Sequence, residues 1–256
     1  MRHLLCLLLL CGAASLCRAQ FGEVKLIAHR GGIVDEHTDE NSVQAITKAA
    51  QQGYYMVELD VRLSKDSVLI VHHDNNLKRI FGVDKNVNEL SWKELAAYKS
   101  KNGHQIHRLE DLLQLAKKQG LQVMIDFKIS GKHPALFVEL YELLKKYDLN
   151  KKALIIPSEE ATDYFRGKIR LSCTRAQVEA YQQRADYSPK HYYLFANPSQ
   201  EDFDWAKANH IQVVGAINYN ARSKMDYQAV AEKLISLGVG YVQLDSQFDP
   251  YFKKAN

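Results

Sequence analysis

The sequence predicts an α/β fold on a parallel sheet, and within that class a (β/α)8 barrel with an insertion after its third strand. Three observations carry this. Short apolar runs alternate with helical periodicity along the chain. The first run, 26–28, is apolar on successive residues, as a strand covered on both faces requires. Ionisable residues stand where the runs stop, and in parallel barrels such strand ends gather on one rim. Nine runs read as strands where a closed barrel takes eight, so either 168–171 or 192–195 is expected to be peripheral. An open doubly wound sheet fits the same alternation, but no G-x-G-x-x-G turn follows the first strand.

The chain of 256 residues opens on a processing segment. A positive Met1-Arg2-His3 precedes an apolar stretch, and Cys17-Arg18-Ala19 offers a small-x-small cleavage site. Residues 1–19 therefore read as a secretory signal peptide, too short for a comfortable membrane span. Residues 20–256 read as one domain, destined for secretion or a periplasm. Removing Arg2 and Arg18 lowers the formal charge of +4 by two, too balanced to argue for nucleic acid. Three of the four cysteines leave with the same segment. Cys173 alone remains, so stability has to come from a core, which 46% apolar content can supply. No later apolar run is long enough for a stable membrane span.

After the first strand a polar loop leads through Glu40-Asn41-Ser42 into a helix with Val43, Ile46 and Ala50 on one face, capped by Asp39 or Asn41 and ended by Gly53. Strands follow over 54–60 and 68–71, joined by a Lys65-Asp66 turn. A longer region holds a short helix from Ser91 and another over 108–118, stopped by Gly120. The next strand spans 121–128. Pro134 opens the helix that runs to Tyr147. Strands over 153–156, 168–171, 192–195, 211–216 and 241–244 complete the set, with helices over 201–209 and 225–237.

The strand ends carry the chemistry. His29 and Arg30 close the first strand, Glu58 and Asp60 the second, His73 and Asp74 the third, and Asp126 and Lys128 the fourth. Glu58 and Asp60 are two apart, so they point to one side of a strand. With Asp126 they offer three oxygen ligands to a hard divalent ion, Mg²⁺ or Ca²⁺. The same pair also reads as a structural salt bridge with Arg30 or Lys128. His29 and His73 sit on separate strands and suit an acid/base pair around one phosphorus. His72 points the other way and reads as structural. Arg30 as a fork and Lys128 as a point charge suit phosphate oxygens, with Gly31 and Gly32 allowing close backbone approach.

With these residues in view, the sequence resembles the glycerophosphodiester phosphodiesterases, a family of phospholipase-C-like TIM barrels. The matching motifs are His29-Arg30-Gly31, Glu40-Asn41-Ser42, Glu58-Leu59-Asp60, His73-Asp74 and Ile125-Asp126-Phe127-Lys128, in the family's order. Weaker similarity covers 106–113 and 238–245. The resemblance implies His29 and His73 as catalytic acid and base, and Glu58, Asp60 and Asp126 as metal ligands. It implies Arg30 and Lys128 as phosphate contacts, and Glu40 as a ligand or a neighbour of the ligands. It further implies a small glycerophosphodiester as substrate, cleaved to sn-glycerol 3-phosphate and an alcohol. Asp126 is one methylene shorter than the family's usual glutamate. The tryptophan common near Val214–Asn218 is absent, which widens the alcohol side.

Two other readings share these residues. A phospholipase D acting on lysophospholipid or sphingomyelin needs an apolar patch near the rim, for which Tyr54, Tyr55, Tyr219 and Phe248 are candidates. A non-catalytic binding barrel is expected to lack a histidine or a ligand, and none is missing here. A glycosidase using Glu58 and Asp60 is disfavoured, because both come from one strand and cannot flank a glycosidic bond.

Overall fold

The computed structural model describes residues 24–252, so the segment read as a signal peptide lies outside the described residues. Ten strands follow in chain order: β1 (Lys25–Ala28), β2 (Met56–Leu63), β3 (Leu69–Val71), β4 (His107–Arg108), β5 (Gln122–Phe127), β6 (Leu154–Ile156), β7 (Arg170–Cys173), β8 (Tyr192–Phe195), β9 (Gln212–Ile217) and β10 (Tyr241–Leu244). Eight of them are parallel. β1 pairs with both β10 and β2, and that closes the barrel. The (β/α)8 barrel expected from the alternation is present.

The odd strand is not one of the two suspected. β7 and β8 are both barrel staves, bonded to parallel neighbours on either side. The outlier is β3, which runs antiparallel to the end of β2 and carries β4 on its far edge. Its loop explains this. Only residues 64–68 separate β2 from β3, and Ser67 turns back with φ 63°. A parallel partner needs a crossover of a dozen or more residues, so this connection permits only a hairpin. The insertion does follow this third strand. It holds the short helices α2 (Lys78–Phe81) and α3 (Trp92–Leu95), packed on a satellite core of Ile70, Leu77, Val87, Leu90, Leu95 and Ile106.

Side-chain parity organises the barrel. Met56 points inward, onto Ile27, Met124, Leu154, Tyr193 and Val214. Val57, Leu59 and Val61 point outward into the main core under the helices. β2 is thus apolar on both sides near its start. Glu58 and Asp60 share the inward side of Met56 and lie further up β2. The register sets Asp60 beside Asp126 on β5.

The outer layer comprises α1 (Val43–Gln51), then α4 (Leu109–Lys118), α5 (Pro134–Lys146), α6 (Glu159–Phe165), α7 (Arg175–Tyr181), α8 (Gln200–Ala208) and α9 (Tyr227–Leu237). α1 is capped by Ser42, whose hydroxyl accepts from the Ala45 N–H at 3.0 Å, rather than by Asp39 or Asn41. Asn41 is instead left-handed, with φ 55°, and its side chain serves the rim. α6 and α7, with seven residues each, were not foreseen. Two turns give too little periodicity to read. No helix of the described residues is long and apolar enough to cross a membrane.

Candidate active site

The site begins where β1 breaks. Arg30 adopts a left-handed backbone (φ 51°, ψ 47°), a conformation that costs a non-glycine residue about 1–2 kcal/mol. Its surroundings over-determine it. The Arg30 N–H donates to Glu58 Oε2 at 2.7 Å, and the Arg30 carbonyl accepts from the Asn41 N–H at 2.7 Å. Gly32, at φ 142°, lets α1 close on this turn. A Cβ there would lie 2.2 Å from the Ala45 carbonyl oxygen. The glycines expected to serve a ligand thus also serve helix packing.

Beneath the turn, Glu58, Asp60 and Asp126 each present an oxygen, all within 4.8 Å of one another. Glu58 and Asp60 are buried at 1% exposure. Desolvation raises the Glu58 carboxyl well above its ordinary range, and the charges of Asp60 and Asp126 push it further. Asn41 Nδ2 donates to Asp60 Oδ2 at 2.9 Å. Lys128 Nζ lies 2.5 Å from Asp126 Oδ2 and 3.2 Å from Asp60 Oδ1. Burial opposes the Lys128 charge, but the two aspartates outweigh it and raise the lysine's pKa.

One ammonium against three carboxylates leaves negative charge in excess, and Glu58 Oε1 is buried without a hydrogen-bond partner. An orphaned carboxylate oxygen in such a place asks for a cation. An all-oxygen donor set suits Mg²⁺ or Ca²⁺ rather than zinc. The residues therefore fit a hard divalent metal.

Two histidines face this cluster, each held by a carboxylate. His29 Nδ1 lies 2.7 Å from Asp245 Oδ1, and His73 Nδ1 lies 2.7 Å from Asp74 Oδ1. A guanidinium only donates, so the 3.1 Å contact from Arg30 Nη2 makes His73 Nε2 an acceptor. His73 Nδ1 then carries the proton shared with Asp74. Asp74 also accepts from Arg79 Nε at 2.6 Å, and its pKa is lowered because Arg79 and His73 overcome burial. A cavity of about 550 Å³ opens here between His73, Arg62, Arg79 and Lys128.

The structure gathers His29, Arg30, Glu58, Asp60, His73, Asp126 and Lys128 on one rim. Glu40 stands apart from the three clustered carboxylates. Arg79 binds both its oxygens, at 2.6 and 2.8 Å, and Arg30 adds a third bond at 3.0 Å. Burial resists the Glu40 charge, yet the two guanidinium groups keep its pKa low. Both its oxygens are thus engaged by guanidinium groups, and it is not among the clustered carboxylates. His72 points away from the rim, 5.7 Å from the Phe81 ring, as its parity required. Sequence reasoning missed Asp245 and Arg79, and named Asp74 without a role. Asp245 had a readable signal, since it follows the last strand as the other charged residues follow theirs.

Beside Asp245 the rim turns apolar. The Tyr219 N–H donates to Asp245 Oδ2 at 2.6 Å while the Tyr219 side chain is 60% exposed. Tyr227 stacks on Phe248 at 4.6 Å, and Phe248 faces Tyr251 at 6.2 Å. Tyr54 and Tyr55 are not part of this patch. Tyr55 precedes β2 and lines the opposite end of the barrel, while Tyr54 is buried in the main core with its hydroxyl donating to Asp249, the neighbour of Phe248.

The family model of the glycerophosphoryl diester phosphodiesterases matches residues 29–235. Human lysophospholipase D GDPD3 is 34% identical over 147 residues, covering 52% of this chain and 44% of that protein. Human lysophospholipase D GDPD1 is 32% identical over 135 residues, or 48% and 42% of the two chains. The chain thus spans less than half the length of these curated relatives. A glycerophosphoryl diester phosphodiesterase of Parabacteroides distasonis superposes with a TM-score of 0.71 at 18% identity, over 90% of this chain and 85% of that one. A phosphodiesterase of Oleispira antarctica, solved with the product sn-glycerol-3-phosphate, superposes at 0.68 with 20% identity, over 89% and 96%.

Proposed function

The chain belongs to the glycerophosphoryl diester phosphodiesterase family, and from that premise we propose that it is a metal-dependent phosphodiesterase, secreted after loss of residues 1–19, that cleaves glycerophosphodiesters to sn-glycerol 3-phosphate and an alcohol. One observation carries the reading. An acidic triad with an orphaned, buried Glu58 oxygen shares the rim with two histidines, each held by a carboxylate, and with a guanidinium that touches His73. Glu58, Asp60 and Asp126 would hold Mg²⁺ or Ca²⁺. When bound, the ion neutralises phosphodiester charge as a Lewis acid.

The chain's own groups divide the remaining work. Arg30 forks onto phosphate oxygens, steered by Glu40, and Lys128 adds a point charge. Once Arg30 Nη2 turns to phosphate, His73 Nε2 has a free lone pair and takes a proton from the attacking group, either water or a glycerol hydroxyl whose cyclic phosphate is then opened by water. Its Nδ1–H stays on Asp74, which stabilises the imidazolium that forms. His29, with Nδ1–H held by Asp245, delivers a proton from Nε2 to the leaving alkoxide. His73 is thereby the base and His29 the acid, and each carboxylate fixes the tautomer its histidine needs.

A lysophospholipid substrate is favoured as a second reading by the exposed Tyr219 and Tyr251 beside His29's partner, backed by the buried Phe248, where an alkyl chain finds apolar surface. The names of the human relatives agree with it. The deciding experiment is release of glycerol 3-phosphate from glycerophosphocholine, beside release of choline from lysophosphatidylcholine. Both are run with EDTA, with Mg²⁺ or Ca²⁺ restored, and with His29→Ala. Metal-dependent turnover that His29→Ala abolishes supports the site. Absence of turnover on both substrates with either metal overturns it.

A further inference from the structure

The barrel's other end holds a cavity larger than the one at the rim. About 1260 Å³ opens beneath the strand starts, walled by the first residues of β1, β5, β7, β9 and β10, by Tyr54 and Tyr55 before β2, and by the loops before β6 and β8. Its lining carries six cations, Lys25, Lys151, Lys152, Lys168, Arg170 and Lys190, together with His191 and no aspartate or glutamate. The whole chain is nearly balanced, with 34 basic and 30 acidic residues, so composition does not explain this segregation.

Few of these cations meet a counter-charge, and Lys168 Nζ is held by the Tyr164 carbonyl at 2.7 Å and by that ring at 4.3 Å. Among the described residues only Lys151 has a carboxylate within reach, Asp148 at 3.6 Å. Lys25 is held over two rings instead, 4.9 Å from Tyr55 and 5.1 Å from Tyr241, which seal the barrel interior above it. Arg170 donates to the Lys190 carbonyl at 3.1 Å and to Gln212 Oε1. Gln212 Nε2 and His191 Nδ1, both in the cavity wall, are buried without a hydrogen-bond partner. Gathering like charges in a concavity works against folding, and concave walls focus the field. Conservative roles at the bottom of such barrels concern stability, and this arrangement opposes stability. A bound anion reverses the sign.

We propose that this floor is a second ligand site, distinct from the rim, that binds a small soluble anion bearing several phosphate groups. The concave shape favours a compact ligand over a flat lipid surface. The floor also lies at the opposite end of the barrel from the catalytic histidines, so occupancy there leaves the rim free.

The test is calorimetric titration of the whole protein with inorganic tripolyphosphate, without divalent metal and at two salt concentrations. The variant carries Lys168→Gln, Lys190→Gln and Lys152→Gln, all exposed side chains. A control removes equal charge elsewhere with Lys117→Gln, Lys145→Gln and Lys101→Gln. The expected result is binding that weakens at least tenfold in the floor variant and less than threefold in the control, with phosphodiester turnover unchanged in both. Three results overturn the proposal. One is no binding. Another is equal loss in both variants, which marks generic charge. The third is binding that sn-glycerol 3-phosphate displaces in competition, which places the anion at the rim. Floor-dependent sedimentation with phosphatidylserine vesicles, without tripolyphosphate binding, would also refute it in favour of a membrane surface.

Discussion

Asp245→Asn isolates the role of a residue that touches no phosphate. Its two oxygens have separate partners, His29 Nδ1 at 2.7 Å and the Tyr219 N–H at 2.6 Å. An asparagine in the same place has one oxygen and one NH₂. The Tyr219 N–H is a fixed backbone donor and claims the oxygen, so the NH₂ faces His29. His29 Nδ1 must then accept, and the proton moves to Nε2 in the neutral ring. The imidazolium also loses its counter-charge. Inverting a catalytic tautomer in this way lowers kcat by about 10²–10⁴, or roughly 3–5 kcal/mol of barrier. KM is expected to change less than about threefold, because Arg30 and Lys128 are untouched. Stability is expected to change by under about 1 kcal/mol, since the change is isosteric at a half-exposed position. The assay is steady-state turnover of glycerophosphocholine across pH, with thermal unfolding alongside. A variant within fivefold of the parent kcat refutes the reasoning. So does a loss that tracks a lowered Tm.

Other changes probe the remaining parts. Gly32→Ala is expected to destabilise the protein by at least about 2 kcal/mol, because its Cβ meets the Ala45 carbonyl, whereas Gly82→Ala meets nothing within 4 Å and costs about 1 kcal/mol or less; denaturant midpoints compare them. Mg²⁺ or Ca²⁺ at a hundredfold over Kd is expected to stabilise by about 2.7 kcal/mol, and Glu58→Gln to remove most of that, read as the shift in Tm. Burial, with His107 beside it, holds the His104 pKa down to about 4. The unfolded chain therefore binds the proton first as pH falls below about 6.5. Stability present at pH 7 is lost between about pH 6.5 and 4, by roughly 3 kcal/mol, and His104→Phe flattens that slope in a pH series of unfolding curves. A parent slope unchanged in the variant rejects this assignment.

Much of the rim was legible because it follows from parity and from strand ends. Glu58 and Asp60 had to share a face, His72 had to oppose His73, and the end of each apolar run marked where charge emerges. What failed did so for definite reasons. The run at β3 is as apolar as a stave, and only its five-residue link to β2 disqualifies it from the parallel sheet. Arg79 was invisible because α2 has four residues, too few for periodicity, and its reach to Glu40 spans 39 positions. For Glu40 the resemblance left two roles open, ligand or neighbour of the ligands, and the sequence offers nothing to choose between them. Two guanidinium groups claim it first, and only the fold brings the second one there.

The two ends of the barrel are bound together by the same period of two. On β1, Lys25 and Ile27 lie on one side, running from the floor into the apolar interior, and His29 follows directly beyond the strand's end at the rim. On β10, Tyr241 and Gln243 do the same with Asp245 just beyond, the register setting Lys25 beside Tyr241 and Ile27 beside Gln243. The Lys25–Tyr241 contact at the bottom and the His29–Asp245 contact at the top are therefore one strand pairing read at its two ends. A one-residue slip of β1 would put Leu26 on the floor and Arg30 against Asp245, and would drive Ala28 inward. The outward Leu26 and Ala28, both under 2% exposed in the main core, oppose that slip. The apolar layer outside the strand thus keeps His29 opposite Asp245.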